Sequence, residues 1–256
     1  MKKITSDENK NLKYLKQLQL KKYRDRERVY LIEGENAVRE AMINGVSPVL
    51  VAVDEDKQEL YSEMFGGFID DALLLPSRLF SKVCATSTSQ GIVAAVPKNE
   101  APEKLPAGPV VVLDRLQDPG NIGTIIRTCD AAGISAVIAV KGCADIYSPK
   151  TVRSAAGSVF RVPVYDGLDT GVVIELLKAA GRKIIGTSFN TSHMYYDVDM
   201  TGEPAIVIGN EGNGMSEEFM DACDVSVKIP MKGTIESLNA SVAAGILIYE
   251  TIRQER

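Results

Sequence analysis

The residues of this chain best suited to chemistry gather in three glycine-containing loops, each directly after an apolar run. In the first, LDRLQDPGNIGTIIRTCDAAGI over residues 113–134, Pro119 and Gly120 make a tight turn. Asn121 is suited to N-cap the helix that follows, and Gly133 to end it. Arg127 then falls in the second turn, where the plainest reading of a lone arginine is an exposed cation. In the second loop, AIVIGNEGNGMSEE over residues 205–218, a strand runs into Gly209, Gly212 and Gly214 before a helix that starts near Ser216. The loop lacks the G-K-[ST] ending of a P-loop, and Glu217 stands where a dinucleotide fingerprint needs glycine or alanine. Glu211, a carboxylate among close-packed backbone, calls for a partner such as Arg127. In the third, VSVKIPMKGTIESLNASVAAGILIYETI over residues 225–252, the strand ends at Ile229 and Pro230. Ser237, Leu238 and Asn239 open a helix there, with Ser237 reading as its N-cap and Ala240, Ala243, Ala244 and Gly245 permitting close packing.

Each loop alone has a capping or turn explanation, and no nucleophile and base of familiar type stand together. His193 is the only histidine, which speaks against a Ser-His or Cys-His hydrolase. Cys84, Cys129, Cys143 and Cys223 lie far apart with no C-x-x-C pair. Neither a disulfide framework nor a metal site is expected.

The elements that position these loops follow from hydrophobic periodicity. VVVLD, AVIAV, a short VPVYD, KIIGTS, AIVIG and VSVKIP are continuous apolar runs of the kind found in parallel strands covered on both faces. Helices are expected between them over 121–132, 150–157, 172–180 and 216–222, with a long terminal one from Ser237. Upstream, a basic amphipathic helix over about residues 9–24 precedes alternating strands (YLIEG, VLVAVD, ALLLP) and helices (ENAVREAMING, KQELYSEMF, SRLFSKVC). KNEAPEKLPAG, with its prolines and charges between two apolar strands, marks an interdomain linker. The chain thus divides into an α/β domain over 1–98, a linker over 99–108 and a second α/β domain over 109–256.

Bulk properties bound the rest. The 256 residues are 45% hydrophobic and 25% charged, as in core-forming globular proteins. Neither a secretory signal nor an apolar run of transmembrane length is present, so the expected location is the cytoplasm. The net charge of −5 argues mildly against a nucleic-acid partner. Yet residues 1–28 hold ten basic side chains against four acidic ones. That stretch reads equally as a solvated helix face or as an RNA contact.

Taken together and in order, the three loops closely resemble motifs 1, 2 and 3 of the SpoU (TrmH-like) family within the SPOUT class of RNA methyltransferases. NIGTIIRT matches the N-x-G-x-x-x-R core, IGNEGNGM the G-[NS]-E-G-x-G turn, and IPMKGTIESLNASVAAGI the I-P-M-x-G-x-x-x-S-L-N-x-S loop and helix. VRSAAGSVFRVP resembles the intervening segment. KKYRDRERVYLIEG and STSQGIVAAV look like the L30e-like substrate-binding domain that precedes many SpoU catalytic domains.

The resemblance implies a C-terminal SPOUT domain with a mostly parallel sheet and a trefoil knot, an exception to the rule against knotted connections. It implies S-adenosyl-L-methionine as methyl donor, no metal, and transfer to an RNA ribose 2'-hydroxyl. Carried over by position, the donor would lie against Thr187, Ser188 and Asn190, against Gly209, Asn210 and Gly214, and against Ile229, Met231, Leu238 and Asn239. Asn121, Arg127, Glu211, Ser237 and Asn239 occupy the catalytic positions. The family casts the motif 1 arginine as base. A guanidinium pKa above about 12 suits it better to alkoxide stabilisation, with Glu211 orienting it and Asn121 fixing the loop. Lys13, Lys16, Lys21, Lys22, Arg24 and Arg28 would contact RNA, ribosomal RNA being favoured, and the enzyme would be a homodimer. Alternatives are the same chemistry on tRNA and a non-catalytic RNA-binding ribosome-assembly factor.

Overall fold

A computed structural model describes residues 1–188, 190–235 and 237–255. The chain forms two compact units, one of Met1–Asn99 with Tyr147–Phe160 and the other of Glu100–Ile146 with Arg161–Arg256.

The first unit runs β1 (Lys2–Lys3), α1 (Lys10–Gln17), α2 (Lys21–Glu27), β2 (Val29–Glu33), α3 (Glu35–Ile43), β3 (Leu50–Asp54), α4 (Gln58–Phe65), β4 (Leu73–Leu75), α5 (Ser77–Phe80) and β5 (Ile92–Pro97). Its five-stranded sheet has the order β1-β4-β3-β5-β2. β1, β4 and β3 are parallel, while β5 runs antiparallel to β3 and β2. The basic stretch expected as one helix over 9–24 is two. Leu12, Leu15 and Leu18 are fully buried, and Leu20 turns outward at the break. Buried Arg24 donates from Nη1 to the Leu18 carbonyl at 2.7 Å, so a charged donor satisfies the end of α1 in place of the next helical turn.

A segment that the sequence assigned to the second domain belongs to this unit. It contains α7 (Pro149–Ala155) and is anchored by aromatic and polar contacts. The ring of fully buried Tyr30 lies 4.9 Å from that of Tyr147 and 6.4 Å from that of Phe160. Lys98 sits 4.6 Å over Tyr147 while pairing with Asp25 at 2.7 Å. Asn99 Nδ2 donates to the carbonyls of Val159 and Phe160, both at 3.2 Å.

The second unit contains β6 (Val110–Leu113), α6 (Pro119–Ala132), β7 (Ala136–Val140), β8 (Val164–Leu168), α8 (Thr170–Ala179), β9 (Ile184–Thr187), β10 (Ala205–Ile208), α9 (Glu217–Ala222), β11 (Val225–Val227) and α10 (Ala240–Gln254). The sheet order is β11-β9-β10-β6-β7-β8, and every pair is parallel. β6, β7 and β10 are buried along their whole length, which accounts for their unbroken apolar sequences. The chain proceeds outward from β6 to β8, then crosses to the far side and inserts β10 beside β6. The strand order therefore reverses between β6 and β10, and open α/β sheets form ligand crevices beyond the carboxyl ends of strands at such a point.

The segment expected as a linker is fastened to this unit. Ala101 and Leu105 pack against its core, and the Tyr165 hydroxyl donates to the Lys104 carbonyl at 2.9 Å. The buried Arg182 guanidinium donates to the carbonyls of Pro106, Gly108 and Glu203. An Arg182→Ala variant leaves these carbonyls without their charged donor. It should lower unfolding stability by about 2 kcal/mol or more in urea titration; an unchanged midpoint would show that the segment is not held this way.

Candidate functional site

The three loops singled out in the sequence follow the carboxyl ends of β6, β10 and β11, and a chain of hydrogen bonds joins them. Asn121 is its centre. Its Nδ2 donates to Glu211 Oε1 at 3.0 Å, and its Oδ1 accepts from Asn239 Nδ2 at 2.9 Å. Asn239 Oδ1 in turn accepts from the Ser241 amide at 2.9 Å, the Val242 amide at 3.4 Å and the Ser241 hydroxyl at 2.6 Å. At the other end Glu211 takes the Gln117 amide on Oε2 at 3.1 Å and the Asp118 amide on Oε1 at 3.3 Å. Donors and acceptors alternate along the whole chain, so each primary amide is satisfied at both ends.

Local sequence explains each position, with corrections to what was expected. Asp118, not Asn121, caps α6, its Oδ1 accepting from the Asn121 amide at 2.9 Å with Pro119 at the first helical position. Asn121 lies inside the first turn, which frees its side chain to bridge loops. Arg127 consequently falls one turn later than expected. Gly133 ends the helix at φ 72°, as its residue type suggested. Asn239, not Ser237, caps α10, and the helix opens at Ala240. Ser237 is exposed and makes no hydrogen bond among the described residues. The expected pairing of Glu211 with Arg127 is not formed, because Glu211 is taken up by Asn121 and two backbone amides. Arg127 is exposed on α6 and makes no ion pair or hydrogen bond among the described residues.

The second loop is a tight hairpin. Asn210 and Gly214 exchange amide-to-carbonyl bonds, both 2.9 Å, while Asn210 Oδ1 accepts the amides of Gly212 and Asn213, both at 3.0 Å. Asn210 Nδ2 ties this hairpin to the first loop through the Arg115 carbonyl at 2.8 Å. At Gly209 a Cβ would stand 2.4 Å from the Met215 nitrogen and 2.5 Å from the Gly214 carbonyl carbon, so only glycine lets the backbone cross itself there.

Sequence reasoning passed over three supports. Asp114, fully buried, holds the Ser216 amide at 2.5 Å and Arg115 Nε at 3.0 Å. Arg115 adopts φ 57°, uncommon outside glycine. Gln117 donates from Nε2 to the carbonyls of Arg115 at 2.9 Å and Gly142 at 2.6 Å. None of the three carries a local sequence signal; the one signal nearby is Asp118 before Pro119, a helix-start signature.

The remaining positions expected to meet the donor follow β9 and β11. Thr187 closes β9, its hydroxyl donating to the Val207 carbonyl at 3.3 Å, and the Ser188 amide donates to the Val227 carbonyl at 3.0 Å. The Asn190 amide donates to Ser188 Oγ at 3.2 Å; Phe189, within the same expected span, lies outside the described residues. Ile229 and Met231 are half-buried, whereas Ile235 is 72% and Leu238 37% exposed.

The expected RNA contacts of the first unit fare unevenly. Arg24 is buried and cannot reach a phosphate without unfolding α2. Lys13 pairs with Glu8, Lys16 with Asp7 at 2.9 Å and Lys21 with Asp25 at 3.7 Å. Lys22 lies 4.8 Å over the Tyr23 ring, and Arg28 is exposed at φ 56°.

Comparison with known proteins bears on what this arrangement does. Residues 108–249 match the SpoU rRNA Methylase family, and residues 9–94 match an MRM3-like substrate binding domain. The chain is 39% identical over 251 residues to the 23S rRNA (guanosine(2553)-2'-O)-methyltransferase RlmP of Bacillus subtilis, covering 97% of this chain and 98% of that one. Among solved structures, an AdoMet-bound rRNA methyltransferase from Sinorhizobium meliloti superposes with a TM-score of 0.86 at 31% identity, covering 98% of this chain and 97% of that one. The SpoU methyltransferase AviRb from Streptomyces viridochromogenes, in complex with AdoMet, gives 0.84 at 29% identity, covering 96% and 98%.

Burial pushes the Glu211 carboxyl up, but the donations from Asn121, Gln117 and Asp118 outweigh it and hold the pKa below the usual range. The ionised form is therefore the one that joins the loops. Its stabilising effect is complete above the ordinary carboxylate pKa and is lost as the pH falls through the lower folded value. Amide exchange at Gln117 and Asp118 should stay protected from neutral pH down through the ordinary carboxylate range and lose protection only below it. A Glu211→Gln variant should be less protected at neutral pH and lack the acid-dependent step; an identical pH profile would show that Glu211 does not hold these amides.

Proposed function

The chain belongs to the SpoU rRNA Methylase family, whose members transfer methyl groups from S-adenosylmethionine to RNA ribose, and on that premise we propose that the linked loops of the second unit carry this transfer on ribosomal RNA. The observation that carries the reading is the Glu211–Asn121–Asn239 chain, which brings three family motifs into one hydrogen-bonded array, with Arg127 exposed on the same helix as Asn121. The relation to RlmP along nearly the full length of both proteins favours ribosomal over transfer RNA, and with it a cytoplasmic enzyme.

The residues around the carboxyl ends of β9, β10 and β11 suit the donor. The hairpin backbone closes on itself at Gly209, space stays open at Gly214, and the exposed Leu238 and Ile235 offer apolar surface for a flat adenine. Thr187, Ser188, Asn190, Asn210, Ile229 and Met231 would complete its cradle. When bound, S-adenosylmethionine supplies an electrophilic methyl group.

The protein's share is to hold the ribose hydroxyl and the charge that develops on it. Glu211 is ill suited as the base, since its hydrogen bonds favour the ionised form and lower its proton affinity. It instead fixes Asn121, which sets the entry of α6. Arg127, on that helix, uses none of its guanidinium donors among the described residues, which leaves them for substrate. A planar fork of fixed charge can stabilise the alkoxide and bind a neighbouring phosphate together. Ser237, exposed and without a hydrogen bond among the described residues, would be available to the same ribose.

Family membership further supports a trefoil knot and a homodimer. Gln254, at the end of α10, accepts the Met200 amide at 2.8 Å and donates to the Val198 carbonyl at 3.0 Å, binding the terminal helix to an earlier segment. Val242 and Tyr249, seven residues apart on α10, are 50% and 52% exposed, apolar surface that a second copy would cover.

Arg127→Ala should lower kcat/KM for methyl transfer to ribosomal RNA by about 10²–10³. Arg127→Lys, which keeps charge but not the fork, should recover only a small part, with donor affinity by calorimetry unchanged in both. Near-wild-type turnover of the lysine variant would overturn the role given to the fork. Tyr249→Asp should shift the protein from dimer to monomer in sedimentation velocity, and an unchanged dimer would remove α10 from the interface.

A further inference from the structure

The first unit holds a groove of about 560 Å³ between β2, α3, the loop after α5 and the segment around α7. Its walls are apolar, formed by Leu31 and Val93 of the sheet and by Val152 and Val159 opposite, with the half-buried ring of Phe160 at one side. The acidic groups along it are already engaged. Glu33 accepts from the Ala85 amide at 2.8 Å and from the Thr86 hydroxyl. Glu40 is packed against Gly157 so closely that a Cβ there would stand 2.6 Å from its Cγ. The rim differs. Asn36, Thr88 and Arg153 are exposed and use none of their side-chain donors among the described residues.

The groove is also built rather than incidental. Three residues on its wall sit in left-handed backbone, Gly34 at φ 95°, Ala156 at 48° and Gly157 at 88°. For Ala156 that conformation costs about 1 kcal/mol or more. Strain of this kind persists where the surroundings enforce it, and it clusters at binding surfaces. Here the enforcement comes from Tyr30, Lys98 and Asn99, which pin both ends of the 147–160 segment.

We propose that this groove takes one unpaired base of the RNA substrate, its face on the apolar wall and Phe160, its edge against Asn36 and Thr88, and a flanking phosphate on Arg153. The inference rests on the methyltransferase reading and adds the point at which the N-terminal unit reads sequence. Specific recognition of RNA works mainly on splayed-out bases, stacked on side chains and hydrogen-bonded at their edges. The groove is wide enough for one base and far too small for a duplex. Its lining charges balance, Glu33 and Glu40 against Arg39 and Arg153, with Arg39 itself held by Glu35 at 2.8 Å. A balanced lining favours a neutral base over the phosphate backbone, and Arg153, without an ion pair among the described residues, is left for the phosphate beside it.

The test uses the full chain and 23S rRNA transcripts substituted in turn with 4-thiouridine and 6-thioguanosine. Photocrosslinks should map to residues 149–160 or 85–90. Thr88→Trp, an exposed loop position whose indole would fill the groove, should abolish those crosslinks and raise KM for the transcript about tenfold, with kcat and S-adenosylmethionine affinity unchanged. Phe160→Leu, which keeps apolar volume but loses the ring, should raise KM in the same direction. Crosslinks confined to other residues, or unchanged KM in both variants while the wild type methylates the transcript, would overturn the proposal. Groove crosslinks without ribose methylation by the wild type would instead overturn the catalytic reading and leave the base site standing. Neither crosslinks nor methylation would overturn both.

Discussion

One primary amide holds the candidate active site together. Asn121 faces a carboxylate with its nitrogen and a second amide with its oxygen, so the loops after β6, β10 and β11 share a single hydrogen-bonded chain. The strands fix where these loops begin, since β6 and β10 are buried neighbours on either side of the point where strand order reverses. They do not fix the loops' mutual geometry, because the lengths between strand ends and helix starts leave many conformations open. Hydrogen bonds from Asn121, and from Asn210 to the Arg115 carbonyl, remove that freedom. A loop so held keeps one arrangement, which is the condition for the proposed transition-state stabilisation without reorganisation.

The same chain divides labour between two charged residues that the sequence had paired. Glu211 is saturated with donors and so is a positioning group. Arg127 makes no ion pair or hydrogen bond among the described residues, which is what the proposed contact with substrate requires. An ion pair between them would neutralise the cation that the proposed transfer places at the developing alkoxide. The separation is a consequence of which helix residue caps α6. Asp118 takes the cap, Asn121 moves one turn inward, and the carboxylate finds an amide in place of a guanidinium.

How much could be read in advance differed with the range of the interactions involved. Val110–Leu113, Ala136–Val140 and Ala205–Ile208 were visible because a strand covered on both faces has no polar positions. The three loops were visible as clusters of glycine and polar residues at strand ends, and resemblance to one family assigned them a common task. Cap positions were missed by two or three residues, at Asn121 and Ser237, since several adjacent Asp, Asn and Ser side chains compete for the same amides and tertiary bonds decide among them. The basic N-terminal stretch misled more seriously. Arg24 reads as a surface cation, yet it satisfies a carbonyl where α1 stops, and only the break at Leu18 to Leu20 reveals the need for it. Membership of 147–160 in the first unit depends on Tyr30, more than a hundred residues away, and no local pattern carries that information.

The central claim is that the loops act as one unit through Asn121, and a double-mutant cycle on methyl transfer tests it most directly. Asn121→Ala removes the centre of the chain. Asn239→Ser keeps an oxygen to cap α10 but loses the amide donor. If the loops are coupled as described, the double variant should lose little more kcat/KM than the worse single variant, giving an interaction energy of about 1 kcal/mol or more. Strictly additive losses would contradict the account, since each asparagine would then be acting alone.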